Sequence, residues 1–394
     1  MKYLMLLATG AADDPVASLG GKTPLEAART PALDELARAG KTGMVRAIPA
    51  DLPPSEEVAL LSALGYDPAK HFSGEAGLGA GDAPFTIGDG LAFCHNLVTE
   101  ANGVVEDHAA GQITPREAEQ LLGALNAALG RPGVQFHVAR GFSGVTRLPQ
   151  SGWERPECPP PQDVLGKPFA RHLPHGEGAD LPAKVVRLSQ EVFREHEVNR
   201  VRADLGENPA TLLWLWGPGN PPALPAFAAE HKLRGAMIAA AESARGLARL
   251  AGLRVVDVVG ATGGYRTDYA AKAARAVELI EEFDLVVIHV AAPAEASLAG
   301  DAERKVAVLS DIDAMLTAPL FELAGRRGDI RMMFLATHHC AVARRLRTRQ
   351  DTPVALFGPG MDAFRRAAFS EANAAQGELG TRQGSALLSY FLRA

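Results

Sequence analysis

The chain has 394 residues, of which 47% are hydrophobic and 22% are charged, so it is long enough for more than one hydrophobic core and is unlike a disordered protein. Its formal net charge of -6 gives no general attraction for nucleic acid or an anionic membrane surface, and no run approaches the ~20 apolar residues of a membrane span. The 3 cysteines have no CxxC spacing, which argues against a disulfide framework and favours a cytoplasmic location.

The first predicted element is a buried strand from Met1 to Leu7, whose apolar part follows Lys2 and is too short for the core of a signal peptide. The Thr9-Gly10 turn after it is typical of the carboxyl edge of a parallel sheet, where sites often lie. A helix is then predicted to begin at Thr30, which can cap it, with Pro31 at its first helical position, and to end at Gly40.

The next stretch predicts a small α+β unit. Strands are expected from Leu91 to Thr99, from Val134 to Val138 and from Gly144 to Leu148, with a helix after Thr114-Pro115. The proline-rich stretch from Trp153 to Pro168 predicts a linker back to the main body.

After this linker, strand-like and helix-like segments alternate to the end of the chain, beginning with the strand TLLWLWG. Such alternation predicts a mostly parallel sheet with helices on both faces. The expected fold is therefore α/β, with a core made of 1–83 and 168–394 and a smaller α+β domain inserted at 84–167. The glycine-rich run from Gly77 to Gly81 is interpreted as a flexible loop.

Short sequence strings also carry a resemblance to a known family. There are 9 of them, in order over most of the chain: Leu19 to Glu26, Thr30-Pro31, Leu64 to Pro68, Pro174 to Gly178, Val198-Asn199, Leu215 to Gly217, Gly260 to Gly263, Asp311 to Asp313 and Gly358 to Gly360. Together they resemble the archaeal-type cofactor-independent phosphoglycerate mutases and their homoserine kinase-like relatives, in the alkaline phosphatase superfamily. The resemblance implies a glycolytic isomerase with a phosphatase-like core and an inserted cap domain.

The resemblance also implies a chemistry. The family moves a phosphoryl group through a serine nucleophile, assisted by two divalent ions (Mn, Zn, Mg or Co). Here the family's serine falls on Glu56, whereas a register shift of one residue would place Ser55 there instead. From the residues alone, Ser55 reads as a helix cap for Glu57 or Val58, and Glu56 as a solvated residue in the first helical turn.

The family's metal-ligand positions are largely replaced. They fall on Thr9, Ala294, Leu298 and Arg347, none of which is a carboxylate or an imidazole. His339 keeps a ligand type at its position, and His338 precedes it, so these two are the remaining metal candidates. Adjacent side chains at a strand end point to opposite faces, so they rarely bind one ion. We therefore expect no metal cofactor.

These replacements predict a pseudoenzyme, a family member that has lost two-metal phosphoryl transfer and binds a small phosphorylated or anionic metabolite. Arg245, Arg347, Asn96 and His339 are the candidate contacts for it.

Two other interpretations stay open. One is an active metal-dependent mutase or homoserine kinase-like phosphotransferase with a shifted ligand set, chosen from Ser55, Glu56, Glu57, Asp301 and His338. The other is a new reaction with Glu56 as general base or nucleophile. Association of the chain with further copies of itself is also left open.

Overall fold

The computed structural model describes residues 1–139, 141–149, 155–362 and 367–393. The chain divides into unit 1, formed by Met1–Phe72 and Ala223–Ala394, and unit 2, formed by Ser73–Pro222. The sequence predicts a core and an inserted unit, and these two units have limits other than the predicted ones. The insertion is longer at both ends than the predicted 84–167.

The helices and strands of the described residues are numbered in chain order. The strands are β1 (Lys2–Ala8), β2 (Lys41–Arg46), β3 (Leu91–Ala101), β4 (Val104–Asp107), β5 (Gln135–Val138), β6 (Ser143–Leu148), β7 (Leu212–Gly219), β8 (Gly235–Ile238), β9 (Arg254–Val256), β10 (Leu285–Val290), β11 (Ile330–Ala336), β12 (His339–Ala341), β13 (Leu346–Thr348), β14 (Thr352–Phe357) and β15 (Thr381–Gln383). The helices are α1 (Pro24–Ala27), α2 (Pro31–Ala39), α3 (Glu56–Ala63), α4 (Pro68–His71), α5 (Glu75–Gly79), α6 (Pro115–Leu129), α7 (Asp180–Arg194), α8 (Glu197–Asp204), α9 (Phe227–His231), α10 (Glu242–Leu250), α11 (Tyr269–Glu282), α12 (Ala292–Ala299), α13 (Ala302–Ile312), α14 (Ala318–Arg326), α15 (Glu371–Ala374) and α16 (Gly384–Arg393).

Unit 1 is built on a mainly parallel sheet with the strand order β15-β2-β14-β11-β1-β10-β8-β9. Strand β1 lies in its centre, parallel to both β10 and β11, whereas β14 runs antiparallel to β11 and β2. The central strands are buried along almost their whole length, which explains their continuous apolar sequences. Since β1, β10 and β11 are parallel neighbours, the residues that follow them meet at one edge of the sheet.

The start of α3 determines where Glu56 lies. The side chain of Ser55 accepts a hydrogen bond of 3.3 Å from the backbone N–H of Val58, which confirms Ser55 as the helix cap. Glu56 is therefore the first residue of α3, but it is only 9% exposed. The interpretation of Glu56 as a solvated residue is wrong, because its side chain turns inward.

Unit 2 is an α+β unit centred on β3, which pairs antiparallel with β6, β7 and β4. Helices α6 and α7 pack against each other, and α7 packs on β7. Because β7 pairs with β3, the TLLWLWG strand belongs to unit 2 and not to the core sheet as predicted. This pairing extends the insertion to Pro222.

Two segments of unit 2 differ from their predictions. The proline-rich stretch does not lead directly back to unit 1, since Glu157 bridges to His175 within unit 2; residues 153–154 of that stretch lie outside the described residues. The run from Gly77 to Gly81, expected to be a loop, lies largely in α5. A side chain at Gly77 would meet Ser73 and Asn220, so glycine allows the close packing of this helix.

Among the described residues, no helix is both long enough and apolar enough to cross a membrane.

Candidate functional site

The ends of the central strands place polar side chains together in unit 1. Thr9, directly after β1, has its Oγ1 2.8 Å from Nε2 of His289, the fifth residue of β10. Thr337, directly after β11, donates a hydrogen bond of 3.3 Å to Thr9 Oγ1. All three side chains are almost completely buried. This edge of the sheet therefore forms a buried polar cluster, as expected for a site at the carboxyl ends of parallel strands.

Glu56 joins this cluster from α3. Its Oε1 lies 3.2 Å from His289 Nε2 and accepts a hydrogen bond of 3.2 Å from Ser243 Oγ, at the start of α10. Burial by itself raises the pKa of the Glu56 carboxyl, but the hydrogen bond from His289 and the charges of His289 and Arg347 outweigh it and hold the pKa well below its ordinary range. Glu56 is therefore a carboxylate. Because a carboxylate can only accept hydrogen bonds, we assign the proton to Nε2 of His289.

His338 and Arg347 bring unused hydrogen-bonding groups to the same region. Both ring nitrogens of His338 and the Nε of Arg347 are buried and have no hydrogen-bond partner among the described residues. Burial and the nearby charge of Arg347 lower the pKa of His338 to about 3, so this imidazole is neutral at pH 7. A buried N–H without an acceptor is costly, so these groups call for a partner rich in acceptor oxygens.

His339 points into a different set of residues. Its Nδ1 lies 2.9 Å from Thr348 Oγ1, and its Nε2 is 3.5 Å from Asp14 Oδ1. Asp13, Asp14 and His339 together form a group whose ligand atoms all lie within 4.8 Å of one another, as a single metal ion requires. Lys305, however, already contacts this group through Asp13, with 2.7 Å between Nζ and Oδ2. His338 and His339 thus lie in different surroundings, as predicted for adjacent residues.

The remaining family ligand positions in α12 carry no side-chain atom that can bind a metal ion. Ala294, in α12, is buried, and its N–H donates to the backbone oxygen of Thr9 over 2.9 Å. Leu298, one turn further along α12, is half-buried. Gly10 has a positive φ of 73°, and a Cβ there would lie 2.7 Å from the Cβ of Ala294. Ala294 therefore packs closely against Gly10, the residue after Thr9.

Three other predicted residues are engaged elsewhere. The guanidinium of Arg245 pairs with Asp257 and donates to the backbone oxygen of Ala239 over 3.3 Å. Asn96 lies inside unit 2, where its amide donates to the backbone oxygen of His108 over 2.9 Å and accepts from Trp216 Nε1 over 2.9 Å. Asp301 caps α13. These contacts give Asn96 and Asp301 structural roles.

Sequence reasoning missed several members of the site. His289, Thr337 and Ser243 were not proposed, nor was the buried pair of Lys305 and Asp13. One signal was present for His289, since it is the polar residue inside the otherwise apolar run of β10. The others needed the three-dimensional structure, because nothing in a single sequence shows which polar residues are buried.

Taken together, the sheet topology and the polar cluster at its carboxyl edge define an α/β protein with a mainly parallel sheet and a separate α+β unit, which agrees with the predicted α/β class. The family model of the 2,3-bisphosphoglycerate-independent phosphoglycerate mutases matches residues 37–199. The chain is 36% identical to the mutase of that name from Methanothrix thermoacetophila, over 98% of both chains. It is also 36% identical to the enzyme named 2,3-bisphosphoglycerate-independent phosphoglycerate mutase 2 from Methanothermobacter thermautotrophicus, over 100% of this chain and 97% of the other. The chain belongs to the 2,3-bisphosphoglycerate-independent phosphoglycerate mutase family.

Solved structures agree on the fold. A protein from Pyrococcus horikoshii superposes with a TM-score of 0.79 at 25% identity, covering 99% of this chain and 96% of the other. The cofactor-independent phosphoglycerate mutase from Thermoplasma acidophilum superposes with a TM-score of 0.60 at 23% identity, covering 100% and 99%.

Family membership corrects one prediction. The expectation of no metal cofactor is wrong, because relatives at 36% and 35% identity over nearly the whole chain are mutases of a family that uses divalent ions. The residues of this chain suit a site for one metal ion better than the family's site for two. Thr9, Glu56, Ala294 and Leu298 do not fit the family's pair of ions, whereas Asp13, Asp14 and His339 form one group of ligand type.

Proposed function

We propose that this chain has lost the serine-based phosphoryl transfer of its family and binds a small anionic metabolite at the carboxyl edge of the unit 1 sheet. The observation that carries the proposal is the position of Glu56. This residue stands where the resemblance places the nucleophile, and its carboxylate is bonded to His289 and Ser243. A carboxylate held in this way is a poor replacement for a serine hydroxyl activated by metal ions.

The surrounding positions support the loss of transfer. Two divalent ions a few ångströms apart need carboxylate or imidazole ligands converging on them. Thr9 offers a hydroxyl that is already bonded to His289, and Ala294 offers only a methyl group. A single cation at Asp13, Asp14 and His339 is compatible with this proposal, since it would not provide the pair that the transfer needs.

The donor groups support an anionic ligand. His338 and Arg347 present buried N–H groups with no acceptor among the described residues. The nearby Glu56 carboxylate already accepts hydrogen bonds from His289 and Ser243. A phosphate or carboxylate group supplies several acceptor oxygens and suits a guanidinium well. The ligand class is therefore a small phosphorylated or carboxylated metabolite.

Two measurements test the proposal. The full chain is assayed for phosphoglycerate mutase turnover with Mn²⁺, Co²⁺, Zn²⁺ and Mg²⁺, next to a relative from the family as the positive control, and no turnover is expected. Phosphoglycerate is then titrated calorimetrically into the wild type, Arg347→Met and the matched control Arg349→Met, whose Nε is bonded to the backbone oxygen of Leu52. Binding should be lost only with Arg347→Met. Turnover at the rate of the relative, or unchanged binding by Arg347→Met, would overturn the proposal.

A working mutase is the second candidate. It is favoured by the relatives, which carry the name of mutases at 36% identity over the full chain. Turnover that depends on stoichiometric bound metal would establish it in place of the first candidate.

A further inference from the structure

The Glu56 carboxylate lies where donor groups of several elements converge. Oε1 is 3.2 Å from His289 Nε2, from β10, and 3.2 Å from Ser243 Oγ, from α10. The charge of Arg347, from β13, helps to hold the pKa of the Glu56 carboxyl below its ordinary range. The Glu56 side chain is 11% exposed and that of His289 is 1% exposed. An acidic group thus occupies a buried, donor-rich position.

A purely structural role does not explain this position. A glutamate in the first turn of a helix is favoured by the helix dipole, but that interaction does not require the side chain to be buried. Glu56 instead turns away from solvent and contacts His289, at the sheet edge. Burying a carboxylate is unfavourable unless hydrogen bonds and opposite charges compensate it. The compensating groups here are of the kind that bind an external oxyanion: an imidazole N–H, a hydroxyl and a guanidinium.

We propose that Glu56 is a resident anion, which occupies with its own carboxylate the place where an external oxyanion would meet His289, Ser243 and Arg347. This inference deepens the proposed function, on which it rests for the existence of an anion site. It makes Glu56 the residue that determines specificity, since a like charge in the site disfavours ligands of high negative charge. A phosphate dianion should for this reason bind the wild type more weakly than a variant with a neutral side chain at position 56.

The test removes the charge and keeps the shape. Inorganic phosphate and phosphoglycerate are titrated calorimetrically at pH 7.5 and fixed ionic strength into the wild type, Glu56→Gln and Asp51→Asn. Asp51 is exposed and lies just before α3, so Asp51→Asn removes one negative charge without touching the site. Glu56→Gln should bind phosphate at least about tenfold more tightly than the wild type, because a neutral amide replaces a like charge. Asp51→Asn should bind as the wild type does.

The outcomes separate the two proposals. Binding by Glu56→Gln but not by the wild type would support the resident anion and count against metabolite binding by the natural chain. Equal binding by the wild type and Glu56→Gln, or an equal gain in Asp51→Asn, would overturn the resident anion and leave the proposed function standing. Thermal unfolding verifies that each variant is folded. If Glu56→Gln is unfolded, Glu56→Ser provides the same comparison with a smaller neutral side chain, and a lack of gain there overturns the inference.

Discussion

Lys305 Nζ lies 2.7 Å from Asp13 Oδ2, and both side chains are completely buried. The same ammonium group donates to the backbone oxygens of Cys340 and Ala12, over 3.0 and 3.3 Å. Burial lowers the pKa of Lys305, and the charge of Asp13 opposes that change. Lys305 is thus an internal cation that joins the turn after β1 to the strand β12.

The first prediction follows from this buried pair. Lys305→Met should lower the free energy of unfolding by about 3–5 kcal/mol, because it leaves Asp13 buried without its counter-ion. The double variant Asp13→Asn with Lys305→Met should recover part of the loss, since no uncompensated charge remains. Denaturant titration measures both changes. Equal stability of Lys305→Met and the wild type would show that the pair is dispensable.

The second prediction concerns cations. The group of Asp13, Asp14 and His339 has a geometry suited to one metal ion, but Lys305 already pairs with Asp13 and Arg344 with Asp14. Removing that ammonium group by Lys305→Met should increase Mn²⁺ affinity at least about tenfold. The reason is that the variant no longer has a positive charge beside the two carboxylates and the imidazole that would bind the ion. Thermal shift against Mn²⁺ concentration measures this. The control combines Lys305→Met with His339→Phe, and a gain that survives in it would place the ion elsewhere.

The third prediction is a dependence of stability on pH. His338 has a pKa of about 3 in the folded chain against an ordinary value of 6.5, so below pH 6.5 the unfolded chain binds a proton that the folded chain does not. Stability should therefore fall as the pH decreases from 6.5, with His338 contributing up to ~1.4 kcal/mol per pH unit. Glu56 adds to this loss only below its ordinary value of 4.5, because its pKa is lowered in the folded chain. Chemical unfolding of the wild type and His338→Gln between pH 4.5 and 6.5 should give a smaller slope for the variant, and identical slopes would contradict the assignment.

The fourth prediction tests unit 2. Arg202, 3% exposed at its side chain, pairs with Glu117 and donates to the backbone oxygens of Asn208 and Ala110. Arg202→Met should destabilise unit 2 by about 3–5 kcal/mol, because it leaves those acceptors buried and unpaired. Arg200→Met, which removes an exposed guanidinium from the same helix, should change stability by less than about 0.5 kcal/mol. Limited proteolysis of unit 2 and thermal unfolding report the difference; similar effects of the two variants would contradict it.

The fifth prediction concerns the turn after β1. Gly10 and Gly20 have similar positive φ angles of 73° and 68°, but only a Cβ at Gly10 meets another residue, Ala294. Both alanine substitutions place a Cβ on a left-handed backbone, which is unfavourable in each case. The difference between the two losses of stability therefore measures the contact with Ala294. Gly10→Ala should be less stable than Gly20→Ala by about 1–3 kcal/mol in denaturant titration. Equal losses would show that the turn moves freely away from Ala294.

Much of the fold was predictable because local sequence determines it. The strand at β1 and the helix α2, with Pro31 first and Gly40 after its last residue, lie within a residue of their predicted limits. The sequence from Glu303 to Ala324 reads as one continuous helix, but the structure has α13, a π-helical segment Asp313–Thr317 and α14 in this range. A π-helical turn leaves no mark in apolar periodicity, so this difference could not be anticipated.

The boundaries and the site were less predictable because they depend on distant contacts. The strand β7 reads like any buried strand, and only its pairing with β3 places it in unit 2. Glu56 reads like a surface residue, and only the packing of α3 turns it towards His289. The replaced metal-ligand positions could be found from a resemblance, whereas the buried pair of Lys305 and Asp13 required the structure.

The two ends of unit 2 lie side by side, since Ser73 donates a hydrogen bond to the backbone oxygen of Asn220 and a Cβ at Gly74 would overlap the backbone of Pro218. The chain therefore enters and leaves this unit at almost the same point. A protein engineer could cut there and express the segment from Ser73 to Pro222 alone, with its first and last residues already meeting. In evolution, such an arrangement allows a whole folded piece to be exchanged while the two halves of the host sheet remain in register.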